Sequence, residues 1–109
     1  MKRLSPFLAI VALVATTLCA RAAAHRILIV NAGSEAIFNL RVASTGAGTW
    51  GADLLGFDGV IDVSRGQDVT FDVGSPQCTY DVLARYDDGH EQVLHGIDLC
   101  SARELRFDH

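Results

Sequence analysis

The stretch from Cys78 to Cys100, CTYDVLARYDDGHEQVLHGIDLC, decides the fold. Tyr80, Val82, Ala84 and Tyr86 fall on one side of an extended chain, with Thr79, Asp81 and Arg85 on the other. Alternation of this kind marks a strand with one buried face. Asp87, Asp88 and Gly89 have turn chemistry, and the chain from Gln92 returns through Ile97 and Leu99 to Cys100, so the whole stretch reads as a hairpin. A three- or five-residue loop around Asp88 and Gly89 sets Cys78 directly opposite Cys100. A two-residue Asp-Gly turn leaves the pair one residue out of register, which a bulge at Gly96 repairs. Opposed residues bring their Cβ atoms close enough for a disulfide.

Working outward, the same signals recur. Arg26 to Val30 is a short β-branched run closed by Asn31, Ala32, Gly33 and Ser34, a turn composition. In Ile37 to Val42, Phe38, Leu40 and Val42 alternate with Asn39 and Arg41, which predicts a strand burying those three apolar residues. Ser44 to Gly59 is glycine-rich and irregular, with room for one helical turn at Ala52 to Leu55. Val60 to Val63 is a candidate short strand. Val69, Phe71 and Val73 alternate with Thr70 and Asp72, and Glu104 to Phe107 closes the chain. Short strands at this spacing, without amphipathic helices between them, predict an all-β fold. The specific expectation is a small antiparallel β-sandwich of six or seven strands with one disulfide, its core including Phe71, Val82 and Leu99.

The start of the chain sets the compartment. Lys2 and Arg3 precede twelve uncharged residues, Phe7 to Leu18, and Ala20 to Ala24 offer small-residue cleavage sites. Basic start, apolar run and Ala-x-Ala, in that order, read as a secretory signal peptide over residues 1–24, ahead of a single β domain over 25–109. The uncharged run is too short for the roughly 18–20 residues of a membrane span. Cleavage fits after Ala22 or after Ala24. Cys19 follows Leu18 where lipoprotein processing needs a small residue, so it is expected to leave with the leader. Loss of Lys2, Arg3 and Arg21 leaves six of the nine basic residues against all thirteen acidic ones, a net charge of about −7. That balance lacks the basic footprint of a nucleic-acid binder and repels anionic membranes. A periplasmic or secreted domain of this size has a thin core, and its two remaining cysteines are expected to pair.

Several motifs bear on chemistry. Gly46 to Gly51 matches G-x-G-x-x-G, but no helix or βαβ unit surrounds it, and a flexible connection is the expected reading. Asp53, Asp58 and Asp62 lack calcium-loop spacing and a bidentate glutamate, so they read as solvated turn residues. Trp50 either caps the core with Leu54 and Phe57 or stands exposed as a contact for a partner or a sugar ring. His25, Asp88 and His90 form a candidate copper set if cleavage frees a His25 amine, since nitrogen ligands suit Cu(II). His90 and His95 are an odd number apart and so face opposite sides of a strand.

From Ile29 to Phe107 the chain resembles a family of small exported bacterial proteins with no established function. The residues carrying the resemblance are Val30-Asn31, Trp50-Gly51-x-Asp53-x-Leu55-Gly56, Arg65-Gly66, Cys78-x-Tyr80-Asp81, Asp88-Gly89 and Asp98-Leu99-Cys100. The resemblance implies a β fold and a Cys78–Cys100 disulfide, and it brings no activity. The leading expectation is therefore a non-enzymatic binding or interaction module without a cofactor, its partner a protein or another envelope component. A copper carrier and a small exported enzyme are the alternatives.

Overall fold

The computed structural model describes residues 23–73 and 77–109. The signal-peptide expectation falls on residues 1–24 and so lies almost wholly outside the described residues. Six strands are present: β1 (Ala23–Asn31), β2 (Ile37–Ser44), β3 (Gly66–Val73), β4 (Thr79–Tyr86), β5 (Glu91–Asp98) and β6 (Glu104–Phe107). They form two three-stranded sheets, ordered β3-β1-β6 and β2-β4-β5. The pairs are antiparallel except β1 with β6, which run parallel, so the expected antiparallel sandwich holds one parallel pair. Among the described residues there is no helix, and the segment at Ala52 to Leu55 makes only a turn.

One core joins the sheets. Ile27, Ile29, Val69, Phe71, Leu105 and Phe107 come from the first sheet, and Ile37, Leu40, Val82, Ala84 and Tyr86 from the second. The expected core residues Phe71, Val82 and Leu99 are all buried. β1 lies between two neighbours, which suits its nearly unbroken apolar run. At its end Asn31 is fully buried, with every side-chain group engaged. Its Nδ2 donates to the carbonyls of Glu35 (2.8 Å) and Ile61 (3.0 Å), and its Oδ1 accepts from the Gly33 amide at 3.0 Å. A buried amide satisfied this way ties the first turn to the 61–65 loop instead of destabilising the core.

The structure departs from the sequence reading in β2. Ile37 pairs with Tyr86 and Asn39 with Arg85, so Phe38 is the extra residue of a bulge. The slip buries Ile37 and Asn39 and leaves Phe38 exposed, contrary to the predicted Phe38-Leu40-Val42 face. Leu40 remains buried, and Val42 packs against the core. Val60 to Val63 does not form a strand; one bridge, Ile61 to Ile37, is all that pairs.

The hairpin closes as expected by a different route. Its loop is three residues, Asp87 to Gly89, with the Tyr86 amide donating to the His90 carbonyl at 2.9 Å and the Gly89 amide to the Tyr86 carbonyl at 2.9 Å. Gly89 has φ +89°, in the left-handed region that the last residue of such a loop needs. The ladder then shifts by one residue between Tyr80 and Val82, where His95 and Gly96 together oppose Asp81, and Gly96 has φ +63°. This bulge and the turn after β5 bring the cysteines together: Cys78 and Cys100 are bonded, with Cα atoms 5.4 Å apart.

Candidate functional site

The glycine-rich segment after β2 doubles back along that strand's open edge. The Gly51 amide donates to the Val42 carbonyl (2.9 Å) and the Leu54 amide to the Leu40 carbonyl (2.7 Å). Asp53 Oδ1 accepts from the amides of Leu40 and Leu55, both at 3.0 Å. The Arg41 guanidinium reaches over to the Gly51 carbonyl at 2.7 Å. Asp53 is thus a half-buried structural acceptor, not the solvated turn residue expected, while Asp58 and Asp62 are exposed. An edge satisfied in this way no longer offers a template for another strand.

The same seal fixes Trp50. With Gly51 beside Val42, Trp50 sits next to Ala43. Val42 packs against the core, so Ala43 faces the opposite side of the sheet. Ala43 pairs with Asp81 on β4, and Asp81 lies opposite the His95-Gly96 bulge on β5. The outer face therefore carries one row across the sheet: Trp50, Ala43, Asp81, His95. A methyl group between an indole and a carboxylate leaves a depression. That depression is an open groove of about 260 Å³ lined by Ala43, Ser44, Gly46, Gly48, Thr49, Trp50 and Asp81. Trp50 is 40% exposed, and Phe57 is fully exposed. The core-capping alternative for Trp50 with Phe57 does not hold; Leu54 and Leu55 pack on the core instead.

Asp81 is ionised and held. Its Oδ1 accepts from the Gly96 amide at 2.9 Å and the Thr45 hydroxyl at 3.3 Å, and its Oδ2 lies 3.5 Å from His95 Nδ1. The Gly96 amide does most to hold this carboxyl below the ordinary carboxylate range. Partial burial opposes that effect, and His95 and Thr45 add to the lowering. Its side chain is only 15% exposed, against 76% for His95.

A second polar cluster lies at the hairpin tip. The rings of His90 and His109 stack with centroids 3.6 Å apart, and Asp88 Oδ2 is 2.9 Å from His109 Nε2. Asp88 Oδ1 accepts from the His90 amide at 2.9 Å. The bond to His109, followed by that to His90, holds the Asp88 carboxyl low. Beneath them the Tyr86 hydroxyl donates to Gln92 Oε1 at 2.7 Å, and burial pushes the phenol's pKa up. Of the candidate copper set, Asp88 and His90 are together and His25 is apart. His25 Nε2 bonds with the Ala102 carbonyl at 3.0 Å. It lies near the start of β1, while the far end of that strand, about 20 Å on, is the end beside the 107–109 segment.

Sequence reasoning missed Asp81, Asp53 and His109. Asp81 had one visible signal, an acidic residue on the outer side of a well-marked strand, but its neighbours Trp50 and Ala43 are set by long-range pairing. Together the fold and the row define a small, disulfide-closed β-sandwich with an aromatic and carboxylate groove on one outer face. No family model matches the chain, and no curated protein or solved structure does so either. Among the described residues no helix is long and apolar enough to cross a membrane.

Proposed function

We propose that this protein is an exported, non-enzymatic binding module that meets its partner, a protein or another envelope component, through the groove at Trp50. The observation that carries the reading is the sole tryptophan, 40% exposed over an open cleft instead of buried in a core that has room for aromatic side chains. Tryptophan is one of the residue types enriched at contact hot spots. Export is supported by the leader pattern in residues 1–24 and by a disulfide, which persists in oxidising compartments.

Of the two cleavage points, Ala22 fits better with the fold. Ala23 and Ala24 both pair within the β1–β3 ladder, with Val73 and Asp72. The exported protein is expected to begin at Ala23 by N-terminal sequencing; a His25 start would contradict this. The binding reading is tested by placing a photo-crosslinking residue at position 49, on the groove beside Trp50, in the producing cell. A discrete adduct is expected there and not from Thr70, on the other sheet. Adducts from Thr70 alone, or from neither position, overturn the reading.

A further inference from the structure

The row Trp50, Ala43, Asp81 says more about the ligand than that one binds. Neighbouring strands lie about 4.8 Å apart, so the indole and the carboxylate flank the Ala43 methyl at about two such spacings. That gap admits one compact group. Trp50 lines the groove and is 40% exposed, and tryptophan is the best aromatic partner for a cation. Asp81 offers one committed and one less engaged oxygen: Oδ1 accepts from Gly96 and Thr45, while among the described residues Oδ2 has one partner, His95 at 3.5 Å. A polyol needs several convergent partners, whereas a single cationic head needs one oxygen and one ring. The net charge of the domain, about −7 from six basic and thirteen acidic residues, steers cations toward such a cleft and anions away.

From this juxtaposition we infer that the groove binds an alkylammonium group, as carried by a lysine side chain or a quaternary amine, with its head between the Trp50 indole and Asp81 Oδ2. His95, whose ring is mostly in solvent, swings aside to free that oxygen. The cleft is half open to solvent and holds about 260 Å³, small against the 300–1,000 Å³ of ordinary small-molecule sites. It fits the end of a larger molecule or one small amine. The inference rests on the groove being the contact surface, as proposed above.

The test titrates ¹⁵N-labelled protein with tetramethylammonium chloride and, separately, Nα-acetyl-lysine methylamide, at constant ionic strength. Methyl glucoside and phosphatidylcholine vesicles serve as the neutral-sugar and lipid-headgroup arms. Saturable shifts of the Trp50 indole N–H and the Ala43 and Asp81 amides are expected with the two cations. Preference for the lysine analogue assigns a protein side chain as the natural ligand, and preference for tetramethylammonium a quaternary amine. Asp81→Asn keeps the acceptor for Gly96 and Thr45 and removes the charge, so the fold persists while affinity falls about tenfold. Trp50→Leu weakens binding about threefold, and Asp88→Asn, on the hairpin tip, leaves it unchanged. Vesicle binding assigns a lipid headgroup as the source of the quaternary amine. Binding of the glucoside alone, or of none of the four probes, overturns the inference. So does cation binding that Asp81→Asn does not weaken. A crosslink at position 49 that persists beside any of these results retains the binding module and discards only its ligand class.

Discussion

Phe71→Ala is expected to lower the unfolding free energy by about 3–5 kcal/mol, the cost of emptying a buried aromatic site. Phe71 is 1% exposed and belongs to the single core shared by both sheets. It lies on β3, which pairs with β1 alone, and collapse of this edge strand into the cavity moves the cost toward the lower end of that range. Domains of this size have total stabilities of roughly 5–10 kcal/mol. The variant therefore sits near its unfolding transition at room temperature. Urea denaturation followed by circular dichroism measures the loss. A change below about 1 kcal/mol is the range of ordinary surface substitutions and would show that the side chain is not the core element described.

Replacing both Cys78 and Cys100 by Ser is expected to cost about 2–5 kcal/mol, with roughly 3 kcal/mol from the chain-entropy model for a loop of this length. The two residues are 22 apart in sequence. The bond closes the open end of the β4–β5 hairpin, where the ladder has already slipped at Gly96 and backbone pairing gives the least support. Its contribution equals that of one or two fully buried aliphatic side chains, a large share in so thin a core. The expected result is a lower urea midpoint for the double variant, matched by wild-type protein under reducing conditions. Unchanged midpoints, or free thiols in unreduced denatured protein, would refute it.

The parts of this fold that were legible in the sequence are those that a local period decides. Val82, Ala84 and Tyr86 alternate without interruption, and all three are buried. The Cys78–Cys100 pairing was legible because a hairpin converts sequence distance directly into register. The loop proved to be three residues starting at Asp87, which with the bulge at Gly96 sets Leu99 against Cys78, and the turn after β5 brings Cys100 the last step. Phe38 was misread because a bulge resets the period: Ile37 bridges Ile61 on one edge and pairs with Tyr86 on the other, and the extra residue between it and Asn39 is turned to solvent. Nothing within six residues of Phe38 announces that slip.

The site was less legible for the same reason. Trp50 carried both readings because its surroundings come from β2 and β4, not from its own loop. Asp53 looked like any acidic turn residue, although its carboxylate takes two backbone amides on and beside β2. His25 and His90 share a residue type and the candidate copper set, yet β1 carries His25 away from the hairpin tip. His109 occupies the place beside His90 instead. Pattern identifies strands; which strand lies beside which is a property of the whole chain.

The position of β1 has a consequence for when this protein can fold. The strand nearest the N-terminus is the centre of its sheet, and its two partners lie far downstream, the parallel one at Glu104–Phe107. Emerging from a ribosome, β1 has no neighbour until β3 arrives, and its sheet is incomplete until β6 is free. Only the β4–β5 hairpin assembles from nearby segments, since β2 is as far from β4 in sequence as β1 is from β3. Contacts this distant in sequence make for slow folding, and here they also delay it. The first sheet closes only when the strand at Glu104–Phe107 joins it.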